Sequence, residues 1–432
     1  MRIGLLGLPN VGKSTLFNAL TNASVLAANY PFATIEPNTG IVPVPDERLT
    51  VLAKMFKTDR IVPATVEFVD VAGLVEGASK GEGLGNKFLA NIRECDAICH
   101  VVRAFEADQV QRADGKSYNS VIPSVAEESP ANSGDSSLSP KLVRDQNDIV
   151  SLARSDIEII NTELMLADIA TIENHLPKVM KEAKADSKAR QKLEFLKSLQ
   201  NALLTGQPPE TRVMSQETSD LLDGLQLLTT KPVIYVFNID ENGLTDKKLQ
   251  GQLSEVRCQK SIVENPLSRH PGLDPGSSKN ESRSDTEFDS RLPKTDNCLF
   301  ICAELESQLR ELSAVEAQEL LADYGVTESG LVQLARAAYQ TLGLQSFLTA
   351  GPKEVRAWTI KQGATAPQAA GVIHTDFEKG FIAAQVVNYN DLIAAGSETA
   401  ARAAGKIRTE GRTYVMQPDD VVEFRFNVQI VD

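Results

Sequence analysis

The sequence has no uninterrupted apolar run of about 18 residues, so it predicts no helical membrane span. Met1 leads directly into Ile3-Gly4-Leu5-Leu6 instead of a charged-then-apolar leader, and the expected location is cytoplasmic. Cysteine is sparse: the five residues Cys95, Cys99, Cys258, Cys298 and Cys302 are an odd number without a C-x-x-C pair, which argues against a disulfide scaffold or a metal knuckle. Cys99 and Cys302 lie in apolar runs and read as small core residues, whereas a redox role stays open for Cys95 and Cys298. Of the four histidines, His100, His175 and His374 read as ordinary strand, helix and loop residues, and His270 falls in an insertion. Positive charge is also short: 44 Lys and Arg face 58 Asp and Glu, for a net charge of −14. That balance excludes a whole-surface nucleic-acid binder, so any RNA contact needs a local patch. One patch exists, with seven basic and three acidic residues between Lys178 and Lys197. It reads either as a phosphate-facing surface on a helical hairpin or as a solvated helix face with i,i+4 pairs.

The chemistry begins at the first strand. Gly7-Leu8-Pro9-Asn10-Val11-Gly12-Lys13-Ser14 follows an apolar run and precedes a helical pattern from Lys13 to about Asn22. The spacing G-x-x-x-x-G-K-[ST] aims backbone amides of Asn10, Val11, Gly12, Ser14 and Thr15 at phosphate oxygens. Lys13 adds a positive charge, Ser14 a Mg²⁺ ligand, and the helix start a favourable dipole.

A strand Thr65–Asp70 followed by Val71-Ala72-Gly73 gives a D-x-x-G pattern. Asp70 is expected to act on Mg²⁺ through water, and the Gly73 amide to sense the third phosphate. Thr34, upstream, is either a second metal-binding hydroxyl or an ordinary loop threonine. Leu74 stands where many GTPases have a water-orienting glutamine; leucine cannot hydrogen-bond water, so hydrolysis is expected to be slow. Asn10 is a candidate K⁺ ligand or a plain loop former. Base recognition is expected at the end of the strand Val233–Phe237, where Asn238-Ile239-Asp240-Glu241 stands in place of the N-K-x-D of GTPases. Ile239 replaces the lysine that covers guanine and Glu241 the aspartate that accepts from it, which favours adenine or a relaxed purine site. An Ala303 amide, from Cys302-Ala303-Glu304, is a second base-side element.

Strand candidates at 2–6, 65–70, 97–102, 233–237 and 299–302 alternate with helical patterns, predicting an α/β domain with a mostly parallel sheet. Residues 156–228 lose the strand signal and predict an inserted helical hairpin. The nucleotide domain therefore spans 1–155 and 229–348, with flexible insertions at 117–150 and 265–297 where serine and proline are frequent. A smaller α+β domain follows at 349–432, with strand candidates Val355–Ile360, Phe381–Val387, Arg412–Val415 and Val421–Phe426.

Longer strings carry a resemblance: Tyr30-Pro31-Phe32 with Thr34-Ile35-Glu36-Pro37-Asn38, Asp70-Val71-Ala72-Gly73-Leu74-Val75, Gly77–Leu89, Asn161-Thr162-Glu163-Leu164 and His374–Phe381. With the phosphate loop, they make the chain resemble the Obg-like ATPases of the YchF type over most of its length. The resemblance implies a coiled-coil arm inserted in the nucleotide domain and a C-terminal β-grasp TGS domain. It also implies preference for ATP, stimulation by K⁺, ribosome association through the arm and last domain, and a part in translation or stress responses. Two departures stand out. Arg112 occupies the position of the family's catalytic histidine, and a guanidinium cannot serve as a neutral base; it acts as an internal arginine finger or leaves catalysis impaired. Pro418-Asp419-Asp420 replaces an Asp-Gly-Asp turn. The leading expectation is a slow, monomeric ATPase switch. A nucleotide-controlled binding module with negligible turnover and a GTPase are its rivals.

Overall fold

The computed structural model describes residues 1–27, 38–71, 84–105, 146–184, 186–206, 224–258 and 298–427. Its first sheet contains β1 (Arg2–Leu6), β2 (Thr39–Pro43), β4 (Thr65–Asp70), β5 (Ala97–Arg103), β6 (Val233–Asn238) and β7 (Cys298–Ile301) in the order β2-β4-β1-β5-β6-β7. All neighbours are parallel except β2, which runs antiparallel to β4. Every residue of β5 is buried, as expected for an interior parallel strand covered on both faces. From β1 the chain moves to β4 on one side and then to β5 on the other, so the carboxyl end of β1 lies at a topological switch point. There the phosphate loop feeds α1 (Lys13–Ala27), whose start is close to the expected one and whose end lies beyond it.

The inserted arm pairs α4 (Gln146–Glu182) with α5 (Ser187–Leu204). Asp186 caps α5 by accepting from the Lys188 amide at 3.0 Å. Ile169 and Ile172 on α4 pack with Leu196, Leu199 and Leu203 on α5, using the apolar spacing of a helical hairpin. Asp168, buried within α4, fastens the arm by accepting from the Leu228 and Thr229 amides at 2.9 and 2.8 Å and the Thr229 hydroxyl at 2.7 Å. Arg93, the last residue of α3 (Leu84–Arg93), reaches the same junction and donates to Thr171 Oγ1 at 2.7 Å. Because α4 begins at Gln146, the expected boundary at 155/156 falls within a helix, and the last five residues of the 117–150 insertion are helical rather than flexible. The remainder of that insertion, and the one at 265–297, lie outside the described residues.

The second sheet is mixed, with β3 (Ile61–Val62), β8 (Leu344–Ala350), β9 (Val355–Lys361), β10 (Phe381–Asn388), β11 (Arg408–Glu410) and β12 (Asp420–Phe426) in the order β11-β10-β12-β8-β9-β3. Its two faces show the period-2 alternation of strands. Leu348, Val355, Ala357 and Val421 join the core of the nucleotide domain, while Phe347, Ile360, Phe381 and Val422 pack with Ala366, Ala369 and Ala370 of the helix Ala366–Ile373.

Two expectations are corrected in this region. The 348/349 boundary cuts β8, which belongs wholly to the second sheet, and β3 joins that sheet from within the expected nucleotide domain. The expected strand Arg412–Val415 is a turn with one bridge from Val415 to Thr365, and the strand lies at Arg408–Glu410. Side-chain bonds override β propensity there, as Arg412 donates to the Phe381 carbonyl at 3.0 Å and the Tyr414 hydroxyl to Asp420 Oδ2 at 2.9 Å. Asp420 Oδ2 also accepts from the Gln417 amide at 2.8 Å, which holds the Pro418-Asp419-Asp420 turn. In α2 (Glu47–Phe56), Arg48 ties that turn to the nucleotide domain through the Pro418 carbonyl at 2.7 Å and Asp419 Oδ1 at 2.8 Å.

Candidate functional site

The phosphate end is built from the exits of β1 and β4. Gly7 packs so closely that an added Cβ would lie 2.7 Å from the Val101 carbonyl of β5. Asn10 and Gly12 both adopt positive φ, 64° and 87°, a conformation that Gly adopts freely and Asn better than most residues. This gives Asn10 a backbone reason to be asparagine. A Cβ on Gly12 would collide with the Asn238 amide nitrogen, so the loop is fitted to β6 as well as to phosphate. Ser14 and Thr15 lie exposed at the start of α1, with Val11 buried behind them.

Lys13 is 9% exposed, and its ammonium donates to Asp70 Oδ1 at 2.6 Å and to the Val71 carbonyl at 2.5 Å. The lysine and the acidic end of D-x-x-G are therefore in direct contact, although 57 positions separate them. Thr34, Gly73, Leu74 and Arg112 lie outside the described residues. Among the described residues no group of three or more His, Cys, Asp or Glu is arranged to hold a metal. The Ser14 hydroxyl and Asp70 carboxylate are hard oxygen donors suited to Mg²⁺ alongside nucleotide oxygens, which is how this ion is ordinarily bound.

The end where base recognition is expected is organised by Asn238. Its Nδ2 donates to the Val11 carbonyl at 3.0 Å, and its Oδ1 accepts from the Ala303 amide at 3.1 Å. One side chain thus ties the phosphate loop to the turn after β7 and brings Val11, Asn238 and Ala303 together. Cys302 starts the helix Ala303–Leu309, and its Sγ accepts from the Leu305 amide at 3.5 Å. Ile239 differs from expectation. It is 2% exposed and packs with Val102, Phe237 and Leu253, so its side chain is a core residue rather than a cover for the base. Its amide donates to the Ile301 carbonyl at 3.0 Å, leaving Asp240 and Glu241 to carry the segment outward. Tyr324 caps the C-terminal end of the helix Ala314–Asp323, and the Glu241 carboxylate raises its hydroxyl's pKa. The sequence pattern gave no sign of this residue, because no local motif links it to the strand ends.

The titratable groups below the site are held uncharged. Burial pushes His100 down to about 3 and Cys99 up to about 12. Burial also raises Cys95 to about 11, with the nearby Lys231 charge acting in the opposite direction, so this thiol lacks the character of a reactive thiolate.

A parallel sheet with a Gly-Lys-Ser phosphate loop at its switch point and an acidic D-x-x-G strand facing the lysine defines a P-loop nucleotide-binding protein. A family model described as "50S ribosome-binding GTPase" matches residues 2–127, and YchF-GTPase_C, described as "Protein of unknown function (DUF933)", matches 344–427. The chain is 42% identical over 428 residues to the Ribosome-binding ATPase YchF of Haemophilus influenzae, covering 99% of each. It is 42% identical over 426 residues to the protein of that name from Bacillus subtilis, covering 98% of this chain and 99% of the relative. A solved structure of the Schizosaccharomyces pombe YchF GTPase superposes with a TM-score of 0.72 at 31% identity, covering 98% of this chain and 97% of that one. The chain belongs to the YchF family.

Proposed function

We propose that this chain is a cytoplasmic, ribosome-binding ATPase that hydrolyses ATP slowly and acts in translation or stress responses. The observation that carries the reading is a pair of contacts on the phosphate loop: Lys13 meets Asp70, and Asn238 ties the Val11 carbonyl to the Ala303 turn expected to meet the base. Names among the similar proteins divide between ATPase and GTPase. ATP is favoured because this chain lacks both the lysine and the aspartate with which GTPases hold guanine. Lys13 orients the β- and γ-phosphates, and the amides of the loop following Gly7 bind their oxygens. Ser14, Thr34 and Asp70 would hold Mg²⁺, which when bound supplies charge neutralisation at the phosphate oxygens. The Gly73 amide senses the third phosphate, and Asn10 is the candidate ligand for activating K⁺. Arg112 either stabilises transition-state charge or marks a weakened catalytic step.

The arm and the C-terminal domain supply the ribosome contact in this reading. The arm presents exposed basic residues including Lys181, Lys184, Lys188 and Lys192 around its hairpin end, an arrangement suited to RNA phosphate. Single-turnover hydrolysis of ATP and GTP, with Mg²⁺ and either K⁺ or Na⁺, tests the chemistry in wild type, Arg112→Ala and Arg112→His. ATP-selective, K⁺-dependent turnover that falls in Arg112→Ala supports an arginine substitute. Binding without turnover, restored by Arg112→His, identifies a binding-only switch. Pelleting with ribosomes tests the partner: a Lys181→Glu/Lys188→Glu variant should bind less and lose salt sensitivity, and unchanged pelleting would remove the arm from the interface.

A further inference from the structure

The second sheet parts between two of its strands, away from the nucleotide site. β8 stays paired with β9 up to Ala350 opposite Val355, and β12 stays paired with β10 up to Phe426 opposite Phe381. Between β8 and β12, Val421 opposite Leu348 is the sole register pair among the described residues. Beyond that pair a cavity of about 540 Å³ opens, with residues 349–351 on one bank and 422–424 on the other. This volume suits a small molecule, whose sites commonly measure about 300–1,000 Å³. Leu392, Val421 and Phe377 give it apolar walls, and Phe56 at the end of α2 closes it from the nucleotide domain.

The polar chemistry of the cavity centres on Gln385 of β10, which lines it and is 9% exposed. Its Oε1 accepts from Arg402 Nη2, in the helix Glu398–Ala403, at 3.2 Å. A guanidinium only donates, so the bonded end of the amide is its oxygen and the other end is Nε2. That nitrogen has no hydrogen-bond partner among the described residues, which leaves a buried donor at the cavity wall. Such a donor gains from any acceptor a ligand brings. The charges around it do not make an anion site. Lys353 and Arg402 line the cavity together with Glu354, Glu398 and Glu423. Glu398 accepts from Arg402 at 3.0 Å, and Glu354 pairs with Arg60 at 3.2 Å. A phosphate or carboxylate would therefore meet no surplus of positive charge, and a cation would lose its water against apolar walls.

We propose that this cavity is a binding site for an uncharged small molecule with an apolar body and one carbonyl-type acceptor, which takes the hydrogen bond from Gln385 Nε2. Arg402 is a positioning residue, because it holds the amide oxygen and so fixes which end of Gln385 is left for the ligand. The chain carries its own reporter. Its one tryptophan, Trp358, donates from Nε1 to Thr349 Oγ1 at 2.9 Å, and Thr349 lines the cavity. Filling the cavity alters the surroundings of that indole.

The test titrates the full chain with N-benzylacetamide, an uncharged probe with an aromatic ring and an amide carbonyl. Saturation-transfer NMR reads binding, and Trp358 fluorescence reads its place. Phenylacetate and benzylamine carry the same ring with a negative and a positive charge. Wild type should show saturable transfer and a matching fluorescence change with N-benzylacetamide, and should bind each charged analogue at least about fivefold more weakly. Gln385→Glu keeps an acceptor for Arg402 but removes the amide donor, and should weaken N-benzylacetamide by about fivefold or more. Gln385→Met, of similar length and without a donor, should do the same and serves if the buried glutamate prevents folding. No saturable binding of N-benzylacetamide to wild type overturns the proposal. Binding that leaves Trp358 unchanged, equal or tighter binding of phenylacetate or benzylamine, or undiminished affinity in a folded Gln385 variant also overturns it.

Discussion

The two ends of the nucleotide site are specified in different ways. The phosphate end is encoded locally, by a loop of eight residues and one acidic strand end, and the structure brings Lys13 within 2.6 Å of Asp70. The base end has no local code of this kind. Asn238 reaches Val11 across 227 positions, and Ala303 arrives from the turn after β7. A short motif can be strict because backbone amides recognise every phosphate alike. The residues expected to choose the base are brought together only by tertiary packing.

The sharpest way to separate the ends is Lys13→Ala. Loss of the phosphate charge should weaken ATP and GTP alike by about 100-fold or more, the loss expected for charge-assisted hydrogen bonds, and displacement titration reads the change directly. A change in the ATP-to-GTP ratio would break the division between ends. Asn238→Ala acts on the bridge between them. It leaves the Val11 carbonyl and Ala303 amide without this partner and should cost about 1–3 kcal/mol in chemical denaturation. It should also weaken ATP by about tenfold or more, since the two ends lose their common brace.

Asp168→Ala supplies a contrast far from either end. Leu228 and Thr229 would lose the carboxylate acceptor that fastens the arm, with an expected loss of about 1–3 kcal/mol in stability and no change in the ATP-to-GTP ratio. A changed ratio would show that the arm junction reaches the base end. The smallest effect concerns His100, beneath the phosphate loop. Its folded-state pKa of about 3 lies below the ordinary value of 6.5, so the unfolded chain binds the extra proton in that interval. This contribution makes stability fall as pH drops from about 6.5 towards 3, by at most about 1.4 kcal/mol per pH unit. Denaturation of His100→Leu beside wild type between about pH 7 and 5 should show a shallower decline in the variant, the unfolded histidine pKa setting the window.

The fold was largely legible where periodicity was strong. The parallel strands, the hairpin arm and several C-terminal strands follow from apolar alternation and helix-length patterns. β2 was not legible because Thr39-Gly40-Ile41-Val42-Pro43 mixes turn formers with apolar residues, and pairing with β4 determines its strand state. β3 has two residues and depends on its partner β9. At Arg412–Val415, local β propensity gave way to side-chain bonds around Asp420. In the site, the Lys13–Asp70 contact and the Asn238 link between Val11 and Ala303 join residues that the sequence singles out by motif spacing. The burial of Ile239 required the packing of Val102, Phe237 and Leu253 to be known.

The most direct test of the central claim is the pair of equilibrium dissociation constants for ATP and GTP, measured on the full chain in Mg²⁺ and K⁺. The account predicts that ATP binds at least about tenfold more tightly, reflecting Ile239 and Glu241 in place of the lysine and aspartate with which GTPases hold guanine. Equal affinity, or tighter GTP binding, would contradict it and return the site to the GTPases that its phosphate loop resembles.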